Sequence, residues 1–174
     1  MRAVIPSTFE PLRTSHQLAV AAFISRAQEL TVAQWSAPIA PDKWSPAQIA
    51  EHLRLTYAVI GGELEGGPGI RIRVPPWMRL WFRIRYLPHI MRSGQLPAGA
   101  RAPREARPGS GPFERPVTLA ALAEAAAMFE DAMARRWDQP EAVLTHHVFG
   151  SMPVRKGIRF ITVHTEHHTR QIQR

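Results

Sequence analysis

Apolar positions recur at mixed spacings of three and four over residues 8–32, through Leu12, Leu18, Ala19, Ala22, Phe23, Ala27 and Leu30. That period predicts one amphipathic helix, with Pro11 in or just before its first turn, where proline is tolerated. The run Ala37-Pro38-Ile39-Ala40-Pro41 forbids continuation and predicts a short extended connection. A second helix then announces itself in Trp44-Ser45-Pro46-Ala47-Gln48-Ile49: Ser45 as N-cap, Pro46 first in the helix, Gln48 closing a capping box, Trp44 and Ile49 placed as a hydrophobic staple. It runs to about Ile60 and stops at Gly61-Gly62 or slightly later, with Ile49, His52, Leu53, Thr56 and Ile60 on its inward face.

From residue 118 to Trp137 an alanine-rich run places Leu122, Ala126, Phe129 and Met133 on one face, and Asp138-Gln139-Pro140 ends it. Residues 141–150 read as a connection, after which Ser151-Met152-Pro153-Val154 starts a last helix. That helix sets Ile158, Ile161, His164, His168 and Ile172 on successive turns of one broad face. Four long helices predict an all-α four-helix bundle spanning residues 1–174 as a single domain. The only competing strand signal is the brief alternation Arg71-Ile72-Arg73-Val74.

Between the second and third helices the pattern breaks. Residues 66–116 hold nine prolines and seven glycines, an irregular insertion too long to be idle in a compact domain. Within it, residues 75–87 (PPWMRLWFRIRYL) read as a short basic helix ending before Pro88 or soon after it. Its aromatics and arginines suit an anionic membrane surface or nucleic acid. The preferred expectation is instead a strap whose Trp77, Leu80, Trp81 and Ile84 cover the bundle while the arginines stay in water. Residues 95–112 read as irregular.

The chemistry lies in the histidines. His164 and His168 are four apart, so on a helix they stack on one face about 6 Å apart along the axis and both rings reach one point. His167 is rotated by about 100° from His168 and cannot comfortably join them. A lone H-x-x-x-H pair also arises from satisfied core or surface histidines, and an inward His52 also arises as a core histidine bonded to a backbone carbonyl. A buried imidazole needs a partner, however, and the inward face of a separate helix is where a third ligand should lie. Glu51, about 100° from His52, and Thr56, one turn beyond it, are candidate catalytic groups; the Thr56 hydroxyl has its own helix backbone as an equal alternative. Glu166 projects about 160° to 200° from His164 and His168.

Composition narrows this further. The chain has 174 residues and no cysteine, which excludes disulfides, thiolate metal sites and a cysteine nucleophile, so any metal is held by nitrogen and oxygen. A chain this long folds without a metal, which makes a metal functional before structural. The net charge of +8 sits wholly in residues 66–115, which carry ten arginines and two acids. Twenty arginines against two lysines point to codon usage more than to phosphate contacts, which counts against nucleic acid and membrane as partners. The N-terminus lacks an apolar core of signal-peptide length and no 18 apolar residues run together, so a cytoplasmic location is expected.

The motifs Trp44-Ser45-Pro46-Ala47-Gln48-Ile49-Ala50-Glu51-His52-Leu53 and His164-Thr165-Glu166-His167-His168-Thr169-Arg170-Gln171-Ile172 resemble the DinB/YfiT-like superfamily of metal-dependent enzymes, across most of the chain in element order. The resemblance implies a four-helix bundle with one divalent ion held by His52, His164 and His168. It also implies divergent chemistry, including transferases and isomerases that use low-molecular-weight thiols and proteins labelled hydrolases, and frequent homodimers. Where the family often has His-Pro before the last helix, this chain has His146-His147, so neither is counted as a ligand; Gln171 matches a family glutamine or histidine near the end.

Three neutral imidazoles leave a coordination position open, as in catalytic zinc sites; zinc is expected first and nickel second. The expected function is a metal-dependent enzyme acting on a small-molecule substrate, as a hydrolase or a thiol-dependent transferase. A non-catalytic metal-binding or interaction module is the first alternative, and a basic membrane or nucleic-acid binder the second.

Overall fold

A computed structural model of the chain describes residues 8–97 and 101–173. The expectation about the first six residues, and the centre of the irregular stretch at 98–100, lie outside the described residues. In chain order the elements are α1 (Glu10–Glu29), α2 (Val32–Ser36), α3 (Pro46–Leu64), α4 (Pro76–Arg85), α5 (Leu87–Ser93), a 3-10 turn at Arg104–Ala106, α6 (Arg115–Arg136), β1 (Val143–His146), β2 (Gly150–Pro153) and α7 (Val154–Ile172). The fold is all-α: α3 packs along α6 and α1 along α7, with α1 also against α6 and α3 against α7.

The α3 start forms as its sequence dictates. Ser45 Oγ accepts the Gln48 N–H at 3.2 Å and Gln48 Oε1 accepts the Ser45 N–H at 3.1 Å, so two of the helix's orphan donors are satisfied reciprocally. Ile49 is buried, and Trp44 packs partly buried against the same core.

The expected first helix forms as α1, and a short unexpected one, α2, follows it. The chain turns at Leu30, and Thr31 caps α2 through a second reciprocal box, Thr31 Oγ1 accepting from Gln34 N at 3.2 Å and Gln34 Oε1 from Thr31 N at 2.9 Å. The inward face of α1 is also rotated from the expected one. His16, Ala19, Val20, Phe23 and Ala27 are buried, whereas Leu18 and Ala22 face solvent. Leu18 and Ala22 are themselves an i,i+4 row, about 100° away from the row of Ala19 and Phe23, and the larger Phe23 decides which row goes in.

The link read as a plain connection forms a hairpin together with Ser151, Met152 and Pro153, the residues read as the start of the last helix, and α7 begins at Val154. β1 and β2 pair antiparallel, Leu144 opposite Met152 and His146 opposite Gly150. Four-residue strands are too short for alternation to show in sequence. Three contacts fix the hairpin. The Glu63 carboxylate on α3 accepts both the N–H and the hydroxyl of Thr145. Gly150 takes φ 72°, a left-handed conformation that glycine adopts without strain. Gly157 on α7 lets Leu144 approach so closely that a Cβ there would sit 2.9 Å from Leu144 Cγ.

The strap expectation fails. Trp77, Leu80, Trp81 and Ile84 are 70, 58, 52 and 69 % exposed and belong to neither apolar cluster, although the Trp81 ring lies 5.2 Å from that of Phe82 and 5.4 Å from that of Tyr86. The insertion packs through other residues: Leu87 and Ile90 of α5 join Phe149, Met152, Phe160 and Val163 in a second apolar cluster, with Phe82 and Tyr86 of α4 at its edge. α7 therefore lies between two apolar masses. Its Ile158 and Ile161 enter the main core with Phe23, Leu53, Leu122 and Phe129, while Phe160 and Val163 face the hairpin and α5. Among the described residues no helix is long and apolar enough to cross a membrane.

Candidate metal centre

The three histidines singled out in the sequence meet. α3 supplies His52 and α7 supplies His164 and His168, and Nε2 of His164 lies 3.3 Å from Nε2 of His52 and 3.2 Å from Nε2 of His168. Candidate ligand atoms of all three fall within 4.8 Å of one another. His52 and His168 are buried, at 5 and 7 % exposure, with the Trp44 ring 5.0 Å from that of His52.

The outer ring atoms determine what the inner ones can do. His52 Nδ1–H donates to the Ala106 carbonyl at 2.6 Å, and His168 Nδ1–H donates to Gln171 Oε1 at 2.8 Å. With the proton on Nδ1, each Nε2 carries a lone pair, and both lone pairs aim at His164 Nε2. The side-chain amide of Gln171 continues outward, its Nε2 donating to His167 Nε2 at 3.0 Å. His164 Nδ1 is buried with no hydrogen-bond partner among the described residues. Lone pairs converging in a buried pocket repel unless a proton or a cation lies between them, and an all-imidazole set of this kind suits a borderline divalent ion. The residues fit the metal.

Electrostatics keeps the rings in the ligating state. Burial pushes the pKa of His52 below its ordinary value, against the pull of the Ala106 hydrogen bond. Burial, with the neighbouring rings adding to it, holds His164 and His168 well below theirs. All three are neutral at pH 7 and present nitrogen lone pairs without first losing a proton.

The hairpin contributes two more histidines that sequence spacing did not place. His146 stacks on Phe149 and its Nδ1 accepts the N–H groups of Val148 and Phe149, at 3.2 and 3.3 Å, so it organises the turn. Burial and the adjacent His147 take its pKa down to about 3. Burial likewise lowers His147, which hydrogen-bonds to the Arg101 backbone and is close enough to His52 to depress it electrostatically. These rings form a neutral wall near the triad.

Beneath the triad runs a buried polar chain. Glu130 of α6 accepts from His16 Nδ1 at 2.7 Å, Gln17 at 2.7 Å and Arg13 at 3.2 Å. His16 Nε2 meets the Tyr57 hydroxyl at 2.9 Å, and that hydroxyl meets Thr165 Oγ1 at 2.6 Å. Burial pushes the Glu130 carboxyl up, but the hydrogen bonds from His16 and Gln17, the charge of His16 and the Arg13 bond outweigh it and leave its pKa below the ordinary value. Burial likewise raises that of Tyr57. The chain ties α1, α3, α6 and α7 together next to the ligand positions, since Thr165 adjoins His164. His16 lies on the buried face of α1 with Val20, Phe23 and Ala27, and the apolar period did not mark it because it is polar.

The other candidates point elsewhere. Both Glu51 oxygens are held by Arg54, at 2.7 Å each. Thr56 donates to the His52 carbonyl of its own helix at 2.8 Å. Glu166 lies beside Arg170 at the end of α5, near Gly94. A cleft of about 490 Å³ near the start of α3, lined by Trp35, Ser45, Gln48 and Phe113, includes none of the three histidines.

No curated protein and no solved structure matches this chain. A family model does: it covers residues 16–172, from the buried His16 through all three converging histidines. The chain belongs to the DinB superfamily.

Proposed function

We propose that this protein is a metal-dependent enzyme that holds one divalent ion through His52, His164 and His168 and acts on a small molecule. The observation that carries the proposal is the convergence of three Nε2 atoms whose lone pairs are aimed by hydrogen bonds on the far side of two of the rings. Zinc is the first expectation and nickel the second, because all-nitrogen donor sets suit both.

When bound, such an ion lowers the pKa of a water ligand or binds a substrate thiolate, which are the chemistries of a hydrolase and of a thiol-dependent transferase respectively. The chain's own contribution is orientation and charge. The Ala106 carbonyl fixes the His52 ring and Gln171 fixes that of His168, so the ligand geometry exists before any ligand arrives. Neutral His146 and His147 add no positive charge that would repel a cation. With Glu51 held by Arg54, no carboxylate among the sequence candidates is free to serve as general base, which favours chemistry in which the nucleophile is activated by the metal itself.

Metal analysis tests the first half of the proposal. Protein purified without a metal-affinity column should carry about one divalent ion per chain, and His52→Ala or His168→Ala should carry little. Equal metal in wild type and both variants would overturn the site. Screening metal-loaded protein against low-molecular-weight thiols and small esters tests the second half. Turnover that survives in a folded His52→Ala variant would exclude the triad as its source.

A further inference from the structure

α4 turns Trp77, Leu80, Trp81 and Ile84 outward, and these positions follow the i, i+3, i+4, i+7 spacing of one helix face. Two indoles and two branched aliphatics in one exposed stripe mark a contact surface. The helix is fastened with that stripe facing out. On its other side Phe82 packs into the second apolar cluster, Arg83 Nη1 donates to the Ser151 carbonyl at 2.8 Å, and the Arg79 side chain lies against Gly150 of the hairpin.

Charge decides what covers the stripe. Between Glu65 and Glu105 the chain carries eight arginines and no acidic residue. Arg71 and Arg73 before α4, Arg85 at its end and Arg92 on α5 are exposed. A second copy of this chain would bring an identical cationic face against them, and like charges facing one another are destabilising. A nucleic acid would satisfy the arginines and stack on the indoles but give Leu80 and Ile84 nothing apolar to enter. A negatively charged lipid surface satisfies every part: indoles at headgroup depth, Leu80 and Ile84 at the acyl boundary, guanidinium groups on phosphates. We infer that α4 and its flanking arginines dock this protein onto anionic phospholipid membranes. α4 itself rests on the hairpin that carries His146 and His147, with the stripe on its opposite side.

Vesicle flotation tests this with the full chain. Wild type should float with phosphatidylcholine vesicles containing about one-third phosphatidylserine, should not float with phosphatidylcholine alone, and should be released as salt rises. Trp77→Ser with Trp81→Ser should weaken binding by about tenfold or more at unchanged thermal midpoint, since both side chains are exposed. Arg85→Glu with Arg92→Glu should do the same, and His168→Ala should bind like wild type. Equal flotation with both vesicle types, or binding unchanged in the tryptophan variant, overturns the inference. So does absence of vesicle binding together with a dimer, or an oligonucleotide complex, that the tryptophan variant abolishes.

Discussion

Acidification should destabilise the metal-free protein well above the range in which carboxylates titrate. His146 is held at a pKa of about 3 by burial and by His147, and His164 and His168 lie well below 6.5 through burial and neighbouring rings. In the unfolded chain each takes up a proton near its ordinary pKa of about 6.5. The folded state excludes those protons, so the stability these sites contribute is whole above pH 6.5 and is lost as pH falls below it toward the folded values. Between pH 7.5 and 5.5 the proton excluded from His146 alone costs about 1.4 kcal/mol, and His52, His147, His164 and His168, all lowered, add to the loss in the same direction, against the roughly 5–15 kcal/mol by which domains are stable. Glu130, whose pKa is below the ordinary carboxylate value, keeps its contribution above the unfolded carboxylate pKa and loses it only as pH falls through its own lower one. The assay is urea unfolding in the presence of a chelator, followed by circular dichroism at both pH values. His164→Gln with His168→Gln should make the loss smaller, and added zinc should stabilise the wild type far more than the variant. Equal stability at the two pH values, or a variant as acid-sensitive as wild type, would refute the reasoning that buried neutral imidazoles are what the fold protects.

Two further expectations concern the atoms behind the ligands. Gln171→Ala removes the acceptor of His168 Nδ1–H and should weaken metal affinity by about 10- to 100-fold in a competition titration, with the helical spectrum unchanged; unchanged affinity would show that the amide does not orient the ring. Tyr57→Phe removes the hydroxyl shared by His16 and Thr165 and should cost about 1–3 kcal/mol in urea unfolding, because buried partners are left unpaired; a neutral effect would mean that the chain beneath the triad is dispensable.

Much of the arrangement was legible because its determinants are local. The Ser45-Pro46-Gln48 box fixes where α3 begins and therefore the direction of His52, and the four-residue step fixes His168 over His164. What stayed hidden depends on tertiary contacts. The Ala106 carbonyl that orients His52 is a backbone atom 54 residues away, on a turn without side-chain signature. Val20 and Phe23 compete with Leu18 and Ala22 for the core, and spacing alone cannot rank two adjacent rows on one helix. The start of α2 is written locally too: Thr31-Val32-Ala33-Gln34 repeats the box pattern of α3, and Thr31 uses it, but the apolar period running to residue 32 masks it. The outward turn of α4 could not be read at all, since it follows from Phe82 and Arg83 finding partners in a hairpin that sequence pattern did not reveal.

Because a main-chain oxygen steadies His52, exposed neighbours of Ala106 such as Arg104 and Arg107 can change without touching that ring, whereas buried Ala106 and Pro108 cannot grow. A residue inserted or removed within the Arg104–Ala106 turn would shift the carbonyl along the chain and release the imidazole, so the turn is strict in length where its exposed side chains are not.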